Sequence, residues 1–201
     1  MSSNTDVPYF SQWESREHVL DFIEGRLASH DDPQWRRSGA PSVEAYAQWA
    51  NQVCGLACLK MILAFKTGVV HDLFSLLAKA RAYGAYVVEQ DSIRGLIYAP
   101  FVKMLDKEFG IHAQVVTGIT AAQVHPLRSD GRFFMASVHP SIRWPEREPA
   151  IKGGHLVLVT GSDEEQLTFH NPSGHDRETQ ENACVAVDTF ERFFAGRGVL
   201  I

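Results

Sequence analysis

A chain of 201 residues, 45% apolar and 21% charged, has the composition of a folded globular protein and is long enough to bury roughly 70% of the surface its unfolded form exposes. Intrinsic disorder and fibrous repeats are excluded, and a net charge of -5 leaves no general basic field to attract nucleic acid or an anionic membrane. Three cysteines cannot all pair, the first residues from Met1 to Asp6 carry neither a positive start nor an apolar stretch, and the longest apolar run (53–59) falls far short of the ~18 residues that span a bilayer. The expectation is a soluble, cytoplasmic protein with reduced thiols and no signal peptide.

In chain order, the first half reads as helical. Residues 15–27 place Val19, Phe22, Ile23 and Leu27 at helical spacing. After Gly39 and Pro41, Ser42 caps a second helix bearing Val43, Tyr46 and Trp49. From Cys54 on, Ala57, Cys58, Met61, Ile62 and Phe65 cover one face and Leu56, Leu59 and Leu63 another, the pattern of a helix buried nearly all round. Residues 73–81 continue in helical style. Asp91 or Ser92 then caps a further helix that Pro100 kinks or restarts before Gly110 ends it. The texture changes near Gly110, after which 112–117, 132–139, 155–160, 166–170 and 183–187 read as strands of an antiparallel sheet. The stretch 140–154, with three prolines and Trp144, reads as a long exposed loop bordering a cleft. Helices first and strands second predict one α+β domain over 1–201, helical to about 110 and a sheet from about 111, with the Cys54 helix packed on the sheet.

Chemistry concentrates at three places. Cys54 opens the buried helix, where free backbone N–H groups and the helix dipole favour a thiolate. Cys58 and Cys184 read as core, and Cys54 with Cys58 makes only a weak zinc pattern, so no metal or organic cofactor is expected. His155 opens a strand after Gly153-Gly154, two glycines that leave room for a substrate backbone. A hairpin centred on Asp163 sets Asn171 opposite His155, where its amide oxygen can accept from the imidazole. Cysteine, histidine and asparagine are the residue types of a thiol nucleophile, its base and an orienting group. Trp13, Trp35, Trp49 and Trp144 are candidates for apolar subsites, Trp144 from the predicted loop; His139, His170 and His175 border the same region. Phosphate-binding glycine patterns are absent.

Val7-Pro8-Tyr9-Phe10-Ser11-Gln12, Cys54-Gly55-Leu56-Ala57-Cys58-Leu59-Lys60-Met61-Ile62-Leu63, Gly154-His155-Leu156-Val157-Leu158-Val159-Thr160-Gly161 and Asn171-Pro172-Ser173-Gly174 together resemble the bacteriocin-processing, double-glycine type of papain-like cysteine peptidase. The resemblance implies a papain-like fold with Cys54 as nucleophile, His155 as general base, Asn171 as orienter where that family usually has aspartate, and Gln12 donating to the oxyanion. Family members place the glutamine a few residues before the cysteine, whereas Gln12 lies 42 positions upstream; Gln52 is nearer. The expected activity is cleavage of a peptide or amide bond through a Cys54 thioester. Two alternatives are acyl or amide transfer in peptide natural-product tailoring, through the same thioester, and a binding module that has lost its chemistry. The expected partner is a peptide or amide-containing substrate.

Overall fold

A computed structural model describes residues 2–3, 6–90, 92–128 and 130–201. The short strand β1 (Ser2–Ser3) precedes a strap, 7–13, that crosses the molecule. Instead of a long helix over 15–27, a 3-10 turn at Arg16–His18 leads into the single helical turns of α1 (Val19–Ile23), because Ser15 is drawn out of a helix by its buried hydroxyl bond to Asp32. α2 (Val43–Ala50) begins as expected at Ser42, whose side chain accepts from Ala45 N–H at 3.2 Å. α3 (Cys54–Thr67) is buried from Gly55 to Ala64 and stops at Gly68 in the left-handed region. α4 (Leu73–Ala82) is capped by Asp72.

Near 91 the expectation fails. Asp91 lies outside the described residues, and Ser92 starts no helix: β2 (Val87–Glu89) and β3 (Ser92–Arg94) form a two-stranded hairpin. α5 (Tyr98–Phe109) begins beyond it and is not kinked by Pro100. The proline falls in the first turn, where a backbone N–H has no partner inside the helix to lose.

The second half supplies β4 (Gln114–Thr117), α6 (Val124–Leu127), β5 (Phe134–Val138), β6 (His155–Ser162), β7 (Gln166–His170), α7 (Arg177–Gln180), β8 (Ala183–Ala186), α8 (Val187–Phe193) and β9 (Phe194–Leu200). The sheet is antiparallel throughout, in the order β4-β9-β5-β6-β7-β8, with β1 paired to the far end of β6. The five predicted strands are present, but β9 was not foreseen, and it sits between β4 and β5. Its glycines disguise it. A Cβ on Gly198 would lie 2.2 Å from the Met135 carbonyl oxygen, so the close approach of β9 to β5 requires glycine there.

Both faces of the sheet are covered. Met135, Leu156, Leu158 and Val199 pack with Leu56, Leu59 and Met61 of α3, with α4 and α5 behind. Phe134, Ala136, Val138, Val157 and Val159 pack on the other face with Phe190 and Phe193 of α8. β5 and β6 are therefore buried at every position, which is why their sequences run apolar without alternation. The predicted exposed loop is only partly so: its start coils into a 3-10 turn, Pro140–Arg143, that tucks Ile142 and Arg143 inside, while 146–148 and 150–152 stay exposed. Among the described residues no helix is long and apolar enough to cross a membrane.

Candidate active site

The N-terminal end of α3, the N-terminal end of β6 and the turn after β7 meet at one cleft of about 560 Å³, whose walls include Gln12, Gln52, Cys54, Arg143, Gly154, His155 and Ser173. Each arrives by a local rule. Val53 gives α3 no side-chain cap, so the first N–H groups of the helix remain available at the cleft beside Cys54. Gly153 and Gly154 have φ of 88° and 98°, a turn closed to L side chains without strain, and this turn delivers His155 as the first residue of β6.

Asn171 meets His155 as expected, although not through the expected register. Ser162 pairs with Leu167, a bulge lies between Val159 and Gly161, and Leu158 pairs with His170. Carried on, this register sets residue 173 opposite His155. The shift of two preserves the face, so Asn171 reaches diagonally. His155 Nε2 lies 2.8 Å from Asn171 Oδ1 and 3.0 Å from Ser173 Oγ. The Ser173 backbone N–H also donates to Asn171 Oδ1, at 3.1 Å, which fixes that atom as the oxygen. Nε2 must then carry the proton, leaving the Nδ1 lone pair free for chemistry. Arg143, 7% exposed, donates through Nε to the Pro140 carbonyl and through Nη2 to Ser173 Oγ, each at 2.8 Å. Among the described residues it has no carboxylate partner.

Burial decides the electrostatics. His155 is pushed from 6.5 down to about 3, first by burial and then by the Arg143 charge, against the Asn171 hydrogen bond that raises it. Cys54 keeps partial exposure to the cleft, yet burial of its thiol pushes the pKa up, outweighing the N–H groups of Leu156, Gly55 and Cys54 itself that favour a thiolate. A helix start alone would shift the thiol the other way. Two of the donors, the Gly55 and Cys54 N–H groups, belong to that helix start and the third, Leu156, comes from β6; desolvation outweighs all three, so at neutral pH the thiol and the imidazole are both uncharged.

Gln12, 3% exposed, is held by the strap. Its backbone N–H donates to the Pro172 carbonyl at 3.0 Å, Ser11 Oγ donates to the same carbonyl, Tyr9 Oη donates to the Asn171 carbonyl, and His170 Nε2 donates to the Val7 carbonyl. The Gln12 amide donates one proton to the Ala50 carbonyl at 3.1 Å, and its Oε1 is buried with no partner among the described residues. Gln52 also reaches the cleft. Trp144 stands outside the cleft wall, stacked on His175 at 5.3 Å, with Arg143 and Arg147 against its ring, while Trp13 and Leu96 supply apolar wall. The sequence marks neither Ser173 nor Arg143: 171–174 has ordinary turn composition, and nothing in a loop sequence marks Arg143 as buried. Among the described residues no group of acidic, cysteine or histidine side chains could hold a metal ion.

A model of the family described as "Peptidase_C39 like family" matches residues 41–198. Among solved structures, one described as a C39-like peptidase from Bacillus anthracis superposes with a TM-score of 0.58 at 13% identity, covering 98% of this chain and 95% of that one. The peptidase domain of Streptococcus ComA, described as a bi-functional ABC transporter involved in a quorum-sensing pathway, gives a TM-score of 0.48 at 18% identity over 74% of this chain and 90% of its own. No curated protein matches. At such identities the first superposition speaks for the fold, which is papain-like.

Proposed function

The chain belongs to the Peptidase_C39 like family, and on that premise we propose that it hydrolyses a peptide or amide bond with Cys54 as nucleophile, His155 as general base and Asn171 as the orienting residue. The observation that carries this is the contact between His155 Nε2 and Asn171 Oδ1: that oxygen, pinned by the Ser173 N–H, calls for the proton on Nε2 and leaves Nδ1 as the basic nitrogen in the cleft that Cys54 also lines. Nδ1 takes the Cys54 proton as the sulfur attacks the substrate carbonyl carbon. Charge develops on the carbonyl oxygen, where the Cys54 backbone N–H at the open helix start and the second amide proton of Gln12 receive it. As the tetrahedral intermediate collapses to the thioester, imidazolium Nδ1–H protonates the leaving amine. Water, deprotonated by Nδ1, then attacks the thioester and releases acid and thiol.

Because both groups are neutral at rest, the proton moves only as the sulfur attacks, and Nδ1 stays available as a base across neutral pH. The test is the rate of iodoacetamide alkylation of Cys54, site-resolved by mass spectrometry, with Cys184 as internal reference; Cys184 is exposed on the edge strand β8, not in the core as its strand-like sequence predicts. His155→Ala is expected to slow Cys54 at least about tenfold at pH 7 and leave Cys184 unchanged. Equal Cys54 rates in the two proteins would overturn the assignment of His155 as base.

A further inference from the structure

The charge of the cleft is unlike that of the molecule around it. The chain carries a net charge of -5, yet among the described residues the cleft walls hold two guanidinium groups, Arg143 and Arg197, and no carboxylate. Arg143 is more than nine-tenths buried and, among the described residues, has only neutral oxygens as hydrogen-bond acceptors. Burial pushes its pKa down to about 10, so it is still a cation at neutral pH. Arg197 is exposed and makes no ion pair among the described residues. It projects from β9 beside the turn that delivers His155: its Nη2 is 3.7 Å from where a Cβ on Gly153 would stand, a point also 3.2 Å from Ser137 Oγ. Tyr98 faces both Ser137 and Arg197, so two hydroxyls and a guanidinium converge at one corner of the cleft. Glu191, which shares the hollow on the far side of Arg197, is already engaged by Lys152 at 2.9 Å and by the Ala121 N–H.

An uncompensated buried cation is costly unless something of opposite charge visits it, and a positive pocket in low-dielectric walls concentrates anions. We propose that the cleft is selective for acyl substrates bearing a carboxylate, and that Arg197, with the Tyr98 and Ser137 hydroxyls, is the residue that reads it. Arg143 adds to the field from behind His155 and Ser173. The carboxylate belongs to an acidic side chain near the scissile carbonyl or to a free C-terminus; the chemistry recognised is the same. This specificity rests on the reading of Cys54 as the nucleophile of this cleft.

Iodoacetate and iodoacetamide differ in charge and little in size. The ratio of their alkylation rates at Cys54, divided by the same ratio at exposed Cys184 in the same molecule, reports the field at the sulfur whatever the absolute rate. The expected preference for iodoacetate at Cys54 is about tenfold over Cys184 at low salt, falling at least about threefold in Arg197→Gln, a ratio from which any change in the thiolate population cancels. Protection of Cys54 by acetyl-alanyl-alanine, which has only a terminal carboxylate, or by acetyl-aspartyl amide, which has only a side-chain one, then separates the two sources. A Cys54 ratio equal to that of Cys184, or one that Arg197→Gln does not lower, would overturn the proposal. The outcome is independent of whether His155→Ala slows alkylation, so failure of the anion site and failure of the catalytic reading give different results.

Discussion

Replacing His155 by asparagine should flatten the acid side of the stability curve. The imidazole is 6% exposed and its pKa is pushed from 6.5 to about 3, by burial first and then by Arg143 and His139. In the unfolded chain it takes up a proton as pH falls through 6.5; in the folded chain it stays neutral until about 3. Over that window the unfolded state binds more protons, so stability falls with pH, by about 1.4 kcal/mol for each pH unit. From 6.5 to 4 the loss is about 3 kcal/mol, a large part of the 5–15 kcal/mol that holds a typical domain together. Asparagine cannot titrate, so the variant lacks this slope. The hydrogen bond to Asn171 lost with the ring shifts its curve by an amount that does not depend on pH. His170, also depressed by burial, is present in both proteins and cancels in the difference. The assay is urea unfolding of wild type and His155→Asn at several pH values between 7 and 4. The difference in unfolding free energy should move by about 3 kcal/mol in favour of the variant across that range. Parallel curves would refute the claim that His155 is held neutral by burial.

The oxyanion assignment is tested by acetylation of Cys54 with p-nitrophenyl acetate, which forms an oxyanion, against iodoacetamide, which does not. Gln12→Ala should slow acetylation by about 10²- to 10³-fold and leave alkylation alone, whereas Gln52→Ala should change neither by more than about threefold. A larger effect of Gln52→Ala would transfer the role to that residue. Asp32 is 1% exposed and accepts from the Tyr46 and Ser15 hydroxyls and from the N–H groups of Glu14, Ser15 and Gln34. Asp32→Ala orphans these donors just after the strap that carries Gln12, and thermal or urea unfolding should show a loss of about 3 kcal/mol or more. A loss below about 1 kcal/mol would mean that water replaces the carboxylate freely.

Local pattern determined much of the molecule. Ser42 and Gly110 mark helix ends through rules that operate within one turn, and the all-round apolar face of 54–64 announces a helix with protein on every side. Cys54, His155 and Asn171 were legible because each stands at an element boundary with its own sequence mark: a helix start, a glycine pair, a turn before proline. The tertiary structure decided what depends on several segments at once. β9 is written with glycines that read as loop, and it becomes a strand because β4 and β5 flank it with backbone partners, β5 so close that no Cβ fits at Gly198. The hairpin turns between 164 and 165 instead of at Asp163, and with the bulge in β6 taking back one residue the register is displaced by two; the histidine still meets its asparagine because a side chain can reach across the diagonal. The sign of the Cys54 shift also came from tertiary packing: a helix terminus can be read from its residues, but the desolvation that outweighs it is the work of distant segments. Arg143 and Ser173 are the clearest case, one from a loop and one from a turn, joined behind His155 by a contact that no spacing in the sequence foretells.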